Sequence, residues 1–251
     1  MTQELSRTPV DRIGAALAQR GFAIVQLADA TALRSAFPPV RAALATFHAA
    51  HRPASNVDAD VDAHLVAFAE RAQLRPQNPR EVDADDDLHR SAARGGAVLQ
   101  RVAEAAIAQL RGLDAYHDAS SAVCDVFYYP KSEESPCPAH EDPGLITAIA
   151  DDAPGLEVRD ADGAWRSVVL AADEVAILGN SGLAKIAGHP ACVHRVVPCA
   201  ERVSITFELR LNEAGVRAAA AAERARLLGD ASAGSPPGWR EKNRRAGCAV
   251  M

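Results

Sequence analysis

The stretch Cys137–Trp165, "CPAHEDPGLITAIADDAPGLEVRDADGAW", decides how the rest of the chain is read. His140 and Asp142 stand two positions apart ahead of a run that alternates like a β-strand. On a strand, residues i and i+2 point to the same face, so the two side chains can act on one object. Ala153-Pro154-Gly155 and Ala161-Asp162-Gly163 then supply turns, as a β-meander requires. The same period of two continues on both sides, in "VCDVFYYP" from Val123, "LEVRD" from Leu156, "WRSVVL" from Trp165, "EVAILG" from Glu174, "CVHRVV" from Cys192 and "RVSITFELRL" from Arg202. With "AHEDPGLITAIA" taken as one strand, this spacing predicts a β-sandwich or jelly roll.

Helical signals flank that region. "VDRIGAALAQR" puts Val10, Ile13, Ala16 and Leu17 on one face and stops at Gly21, and "FAIVQL" follows as a buried strand. Asp29 is placed to cap a second helix, which Pro38-Pro39 is expected to interrupt before it resumes towards residue 50. Residues 52–90 read as polar loop around a short helix-like piece, "HLVAFAERAQ", with a mobile lid as the alternative. A long Ala-rich helix is predicted over 91–113, with Val98, Val102, Ala105, Ala106 and Gln109 along one side. Another helix follows residue 212 and ends near Gly229, leaving a loose Ser/Pro/Gly-rich and basic tail. The expected organisation is therefore a mostly helical region over 1–120, a β core over 121–212, and a helix with a flexible tail over 213–251.

Composition narrows the function. The 251 residues are 48% hydrophobic, enough for a sizeable core, and the net charge is −6 with only 4% aromatics. An acidic, aromatic-poor chain has neither the basic footprint nor the stacking platforms of a nucleic-acid binder. The cysteines at 124, 137, 192, 199 and 248 form no C-x-x-C pair and read as reduced thiols of a cytoplasmic protein. Neither a signal-peptide core nor a membrane-spanning run is visible, so membrane association is not expected. The final "CAVM" does fit the C-a-a-X pattern, which makes Cys248 a weak prenylation candidate.

Chemistry enters with the later strands. His194 lies on an apolar strand, with the candidate strands from Leu156, Trp165 and Glu174 between it and His140. In a jelly roll such a strand can return beside the first, and two imidazoles plus one carboxylate form the facial triad of non-haem Fe(II) oxygenases. Arg202 and Ser204 again share a strand face, and a guanidinium fork beside a hydroxyl suits a carboxylate in a buried pocket. Tyr129 offers a phenol to the same group. The bland readings make Cys192 a small buried hydrophobe on the His194 face, Asp151-Asp152 a solvated turn, Trp165 a core residue, Glu141 outward-facing and His189 a loop histidine.

In order, Tyr-Tyr-Pro, His-x-Asp-Pro-Gly-Leu-Ile-Thr, Pro-Gly-Leu-Glu-Val-Arg, Asp-Gly-x-Trp, His-Arg-Val-Val and Arg-x-Ser resemble the 2-oxoglutarate and Fe(II)-dependent oxygenase superfamily, in the branch similar to isopenicillin N synthase. The resemblance covers about residues 123–211, with Gly179-Asn180 where the family often has Gly-Asp. It implies a mainly β fold with flanking helices around a double-stranded β-helix. It further implies iron ligands His140, Asp142 and His194, and a 2-oxoglutarate grip made by Arg202, Ser204 and Tyr129. With Fe(II), 2-oxoglutarate and O₂, the implied activity is oxidation of a small-molecule C–H bond, most simply hydroxylation, with succinate and CO₂ as co-products. Desaturation, ring closure, an oxidase that dispenses with 2-oxoglutarate, and a non-catalytic binding module use the same ligands and stay open at this point.

Overall fold

In the computed structural model, residues 5–52, 65–68, 71–75, 87–118 and 121–232 are described. The C-terminal tail, including Cys248, lies outside them, as do the acidic stretches read as a loop or lid. A 3₁₀ turn at Val10–Arg12 leads into α1 (Ile13–Arg20), which Gly21 closes in the left-handed region at φ 79°. Next come β1 (Phe22–Gln26), α2 (Thr31–His51), the short β2 (Leu65–Ala67) and β3 (Ala72–Leu74), and α3 (Asp87–Ile107). The β core contains β4 (Ala122–Tyr129), β5 (Cys137–His140), β6 (Ile146–Asp151), β7 (Leu156–Arg159), β8 (Trp165–Val168) and β9 (Glu174–Gly179). It continues through α4 (Ser181–Ala187), β10 (His194–Val196) and β11 (Arg202–Leu209) before α5 (Glu213–Ser232).

Two antiparallel sheets result. The larger has the order β1-β9-β6-β11-β4-β3-β2 and the smaller β5-β10-β7-β8. Phe22, Ile24, Ile149, Ala176 and Leu178 of the large sheet pack with Leu156, Val158 and Val168 of the small one. That is the double-stranded β-helix, a mainly β fold with flanking helices. The other face of the large sheet carries the helices, because alternation sends Val203, Ile205, Phe207 and Leu209 of β11 and Cys124, Val126 and Tyr128 of β4 into the helical core. α3 crosses this surface on Gly95 and Gly96. A Cβ on either would come within 2.7 Å of Ile205 or Cys124 respectively, so these glycines set how closely the helix approaches.

Several sequence expectations are corrected. α2 runs unbroken through Pro38-Pro39. Its buried stripe of Leu33, Phe37, Val40 and Leu44 outweighs the two lost amide donors, and the orphaned carbonyls belong to Arg34 and Ser35 on the exposed side. Asp29 does not occupy the cap position itself, which is Ala30, but accepts the Thr31 N–H at 2.9 Å. The described parts of the helix-like "HLVAFAERAQ" instead belong to the paired strands β2 and β3, because β3 gains a ladder partner in β4 that local propensity cannot register. The first part of the chain thus adds three strands to the large sheet. α3 buries Val98 and Ala106 of the predicted side, with Val102 packed against the same core, and adds Leu88, Ala92, Leu99 and Ala103, while Ala105 is exposed. Finally, the single strand read over 139–150 is two strands, β5 and β6, which belong to different sheets.

Among the described residues no helix is long and apolar enough to cross a membrane.

Candidate metal centre

The register of the small sheet builds the site. β5 and β10 pair antiparallel with His140 directly opposite His194, and their rings stand 4.3 Å apart at 52°. Asp142 lies in the loop after β5, not on the strand. The turn Asp142-Pro143-Gly144 brings its carboxylate back, with Oδ1 3.5 Å from His140 Nε2 and Oδ2 3.8 Å from His194 Nε2. One ligand atom from each of the three residues lies within 4.8 Å of the others. Glu141, between them, is exposed as expected.

Both imidazoles are oriented by backbone. His140 Nδ1 is 2.8 Å from the Pro138 carbonyl, and His194 Nδ1 is 3.2 Å from the Cys192 carbonyl. A carbonyl only accepts, so each Nδ1 carries a proton and Nε2 is the nitrogen turned to the site; His194 Nε2 keeps its lone pair, whereas His140 Nε2 faces the Asp142 carboxylate with a proton that a cation would displace. Asp142 is held in turn: Thr147 Oγ1 donates to its Oδ2 at 2.5 Å, and Asn180 Nδ2 donates to Thr147 Oγ1 at 2.9 Å. Asn180 is fully buried at the start of α4, so the Gly179-Asn180 pair noted in the sequence is an outer support of the carboxylate.

The electrostatics favour a cation. The hydrogen bond to Asp142, with a further one to Cys137, pushes the His140 pKa up to about 11. Burial pushes His194 down towards its neutral, ligating form. Burial works against the charge on Asp142, but the histidines and Thr147 outweigh it and hold the carboxyl below its usual range. A neutral imidazole, a second imidazole that attracts positive charge, and an ionised carboxylate form a donor set that fits a divalent metal with positions open on one side.

A cavity of about 280 Å³ runs from these ligands across the floor of the large sheet. At one end lies Arg202, 1% exposed, with Tyr129 directly opposite it on β4 and the guanidinium 5.2 Å from the phenol ring. Ser204 lies two residues on, on the same face, and is buried. Burial raises the Tyr129 pKa, so its hydroxyl stays protonated. Arg202 Nη2 bonds Asp151 Oδ1 at 2.6 Å, whereas its Nε and Nη1 are buried without an acceptor. Two orphaned donors at the pocket end fit a ligand carboxylate.

The reading of Asp151-Asp152 as a solvated turn is therefore overturned. Asp151 is a buried ion-pair partner of Arg202, and Asp152 accepts the Val203 N–H at 2.7 Å and is bridged by Arg41. Their partners lie on a strand and a helix that local reading cannot see. Trp165 is likewise not core: it is partly exposed at the sheet edge, under the Arg195 guanidinium at 4.1 Å. Cys192 precedes the start of β10 and sits in the inter-sheet core, not on the His194 face of a strand. Burial pushes its thiol up to about 12. Cys192→Ala should cost only about 1 kcal/mol of packing and leave succinate formation within about twofold of wild type. A large loss in a single-turnover assay would place the thiol in the reaction.

The loop carrying Asp142 is wedged between β11 and α4. A Cβ on Gly144 would stand 2.6 Å from the Leu209 carbonyl, and one on Gly182 would stand 2.5 Å from the Gly144 carbonyl. Gly144→Ala must shift the loop and Asp142 with it. The expected result is metal affinity about 10-fold or more weaker, read by competition with a fluorescent chelator.

An antiparallel double-stranded β-helix that presents two imidazoles and one carboxylate to a cavity defines the class of mononuclear non-haem iron oxygenases. Residues 120–211 match the family model described as the 2OG-Fe(II) oxygenase superfamily. That segment, which carries the β core and all three candidate ligands, is similar to the superfamily. No curated protein matches the chain. Solved structures share the fold at low identity. A full-length Neurospora crassa protein, solved in complex with alpha-KG and 5-formyluracil, superposes with TM-score 0.62 at 17% identity, covering 81% of this chain and 78% of that one. The dioxygenase for auxin oxidation 1 of Arabidopsis thaliana, bound to 2-oxoglutarate, gives 0.61 at 16%, with 83% and 90% covered. The rice dioxygenase for auxin oxidation gives 0.60 at 20%, with 80% and 77% covered.

Proposed function

We propose that the protein hydroxylates a C–H bond of a small molecule, with Fe(II) held by His140, Asp142 and His194. The observation that carries this reading is the convergence of those three ligand atoms within 4.8 Å, with both Nδ1 atoms committed to backbone carbonyls. When bound, Fe(II) and 2-oxoglutarate together activate O₂. With a C–H substrate the products would be the alcohol, succinate and CO₂.

The chain's own contribution is positioning. Arg202 would receive the distal carboxylate of 2-oxoglutarate on its unpartnered Nε and Nη1, while Asp151 fixes the guanidinium from the other side. Ser204 and Tyr129 offer hydroxyls to the same carboxylate. Ile149, Leu156 and Val196 line the cavity between that end and the ligands and exclude water from the reacting centre. The Thr147–Asn180 chain keeps Asp142 ionised and oriented. Small ligands such as 5-formyluracil in one structural neighbour support a small-molecule substrate here.

The test is anaerobic. Addition of 2-oxoglutarate to the Fe(II)-loaded protein should give a new visible absorption band, and admission of O₂ should give succinate. A flat spectrum in the first step removes the assignment of the cosubstrate.

A further inference from the structure

Beyond the three metal ligands, the floor of the same cavity is built from charge. Alternation along β4 and β11 turns Val123, Asp125 and Phe127, and Thr206, Glu208 and Arg210, to the cavity. Between two packed sheets these inward positions ordinarily carry apolar side chains. Here Asp125 and Glu208 are side chains only 13% and 10% exposed. Desolvation raises the pKa of both carboxyls. Each meets one arginine at the rim: Arg75 Nε is 3.2 Å from Asp125 Oδ1, and Arg210 Nε is 2.6 Å from Glu208 Oε2. The Arg210 guanidinium also acts on Asp125, so the four groups form one neutral quartet of two cations and two anions. Fold stability does not require it, because exposed arginine pairs contribute little and buried carboxylates are costly.

The quartet adjoins the metal ligands. Glu208 stands directly across from Thr147, the residue that holds Asp142, and its second oxygen accepts the Gly144 N–H at 2.8 Å. Arg202 is six residues back along the same strand face, at the opposite end of the cavity. A molecule of one sign would meet a like charge here, and an apolar one would strip water from four charged groups without replacing their partners. A zwitterion satisfies both signs. Arg210 keeps its two terminal nitrogens without an acceptor among the described residues, a fork suited to a carboxylate, and the two buried carboxylates face an ammonium. At about 280 Å³ the cavity lies near the lower edge of the about 300–1,000 Å³ range of ligand sites. It must also admit 2-oxoglutarate, so the substrate is small.

Resting on the oxygenase reading above, we infer that the substrate is a free amino acid, held by its carboxylate on Arg210 and its ammonium on Asp125 and Glu208, with its side chain presented to the metal ligands. The reaction is then R–H, 2-oxoglutarate and O₂ giving R–OH, succinate and CO₂.

The experiment uses the full chain loaded with Mn(II) and 2-oxoglutarate for calorimetric binding, and with Fe(II) for succinate formation. The panel holds the protein amino acids with ornithine, pipecolate and γ-aminobutyrate, their N-acetyl and amide forms, amine-free carboxylates, and thymine and uracil. At least one free amino acid should bind and raise succinate formation tenfold over the substrate-free rate. N-acetylation or amidation should each weaken its binding tenfold or more. Arg210→Gln should weaken the free amino acid by the same factor, while the amide, already lacking that charge, loses nothing further in the variant. Asp125→Asn gives a second, isosteric probe of the ammonium. If the 2-oxoglutarate band forms but only amine-free compounds stimulate, or none of the panel does, the amino-acid assignment falls and the oxygenase reading stands. If no band forms, both fall.

Discussion

His194→Ala should reduce succinate formation by more than about 100-fold, since loss of a hydrogen-bond partner of a ligand alone typically costs 10–100-fold and this change removes the ligand itself. His194 is the best fixed of the three: it is buried, paired on both sides by β5 and β7, and held at Nδ1 by the Cys192 carbonyl. No other imidazole among the described residues joins His140 and Asp142 in a possible metal-binding group. Metal content measured after gel filtration should fall in parallel with turnover, while the far-UV spectrum stays that of the folded sheet. Full activity in this variant would remove the metal assignment, whatever the fate of the pocket residues.

The second large effect is on stability. Arg202→Met leaves the Asp151 carboxylate, 3% exposed, without its only cation in hydrogen-bonding reach among the described residues. Breaking a buried pair from one side costs about 3–5 kcal/mol, because the remaining charge is neither solvated nor paired. Urea unfolding should show that loss as a lower midpoint with an unchanged slope. The double variant Arg202→Met with Asp151→Leu should recover much of it, since an apolar pair of similar volume imposes no uncompensated charge. Neither variant should show the anaerobic 2-oxoglutarate band, as the pocket end has lost its donors. A single variant as stable as wild type would mean that Asp151 finds another partner.

Much of this is legible in the sequence, and the gaps have identifiable causes. Period-two alternation marks β4 and β7, which bury alternate side chains, whereas β9 is an apolar run buried on both faces. A shared strand face is enough to pair His140 with Asp142 on paper. The outcome agrees, but the carboxylate arrives through a turn, with Thr147 and Asn180 holding it. What brings His194 to them is the β5–β10 ladder, a long-range pairing with no local signal. Asp151 escapes a local reading for the same reason: an acid at the end of an apolar run looks like the start of a turn until Arg202 is seen beside it. The charged floor, by contrast, is open to the same alternation argument. Asp125 is in phase with Tyr129, and Glu208 and Arg210 are in phase with Arg202. The Ala-rich β2–β3 segment carries no strand periodicity long enough to compete with a helical reading.

The two histidines differ in how firmly their strands are held. β5 is the edge of the small sheet, four residues long, with Pro138 unable to donate to a neighbour, and it has a single ladder partner. Its His140 side chain is 40% exposed, against 7% for His194. A metal held by the proposed ligands would therefore have a door and a wall. Fraying of this one edge strand would release the proposed ligand His140 without disturbing the large sheet, so exchange of an ion held there would be governed by a local opening and not by global unfolding. Chelator-driven metal loss should accordingly proceed while the amides of β6, β9 and β11 remain protected from hydrogen exchange. A protein built this way can be loaded and reloaded after it has folded.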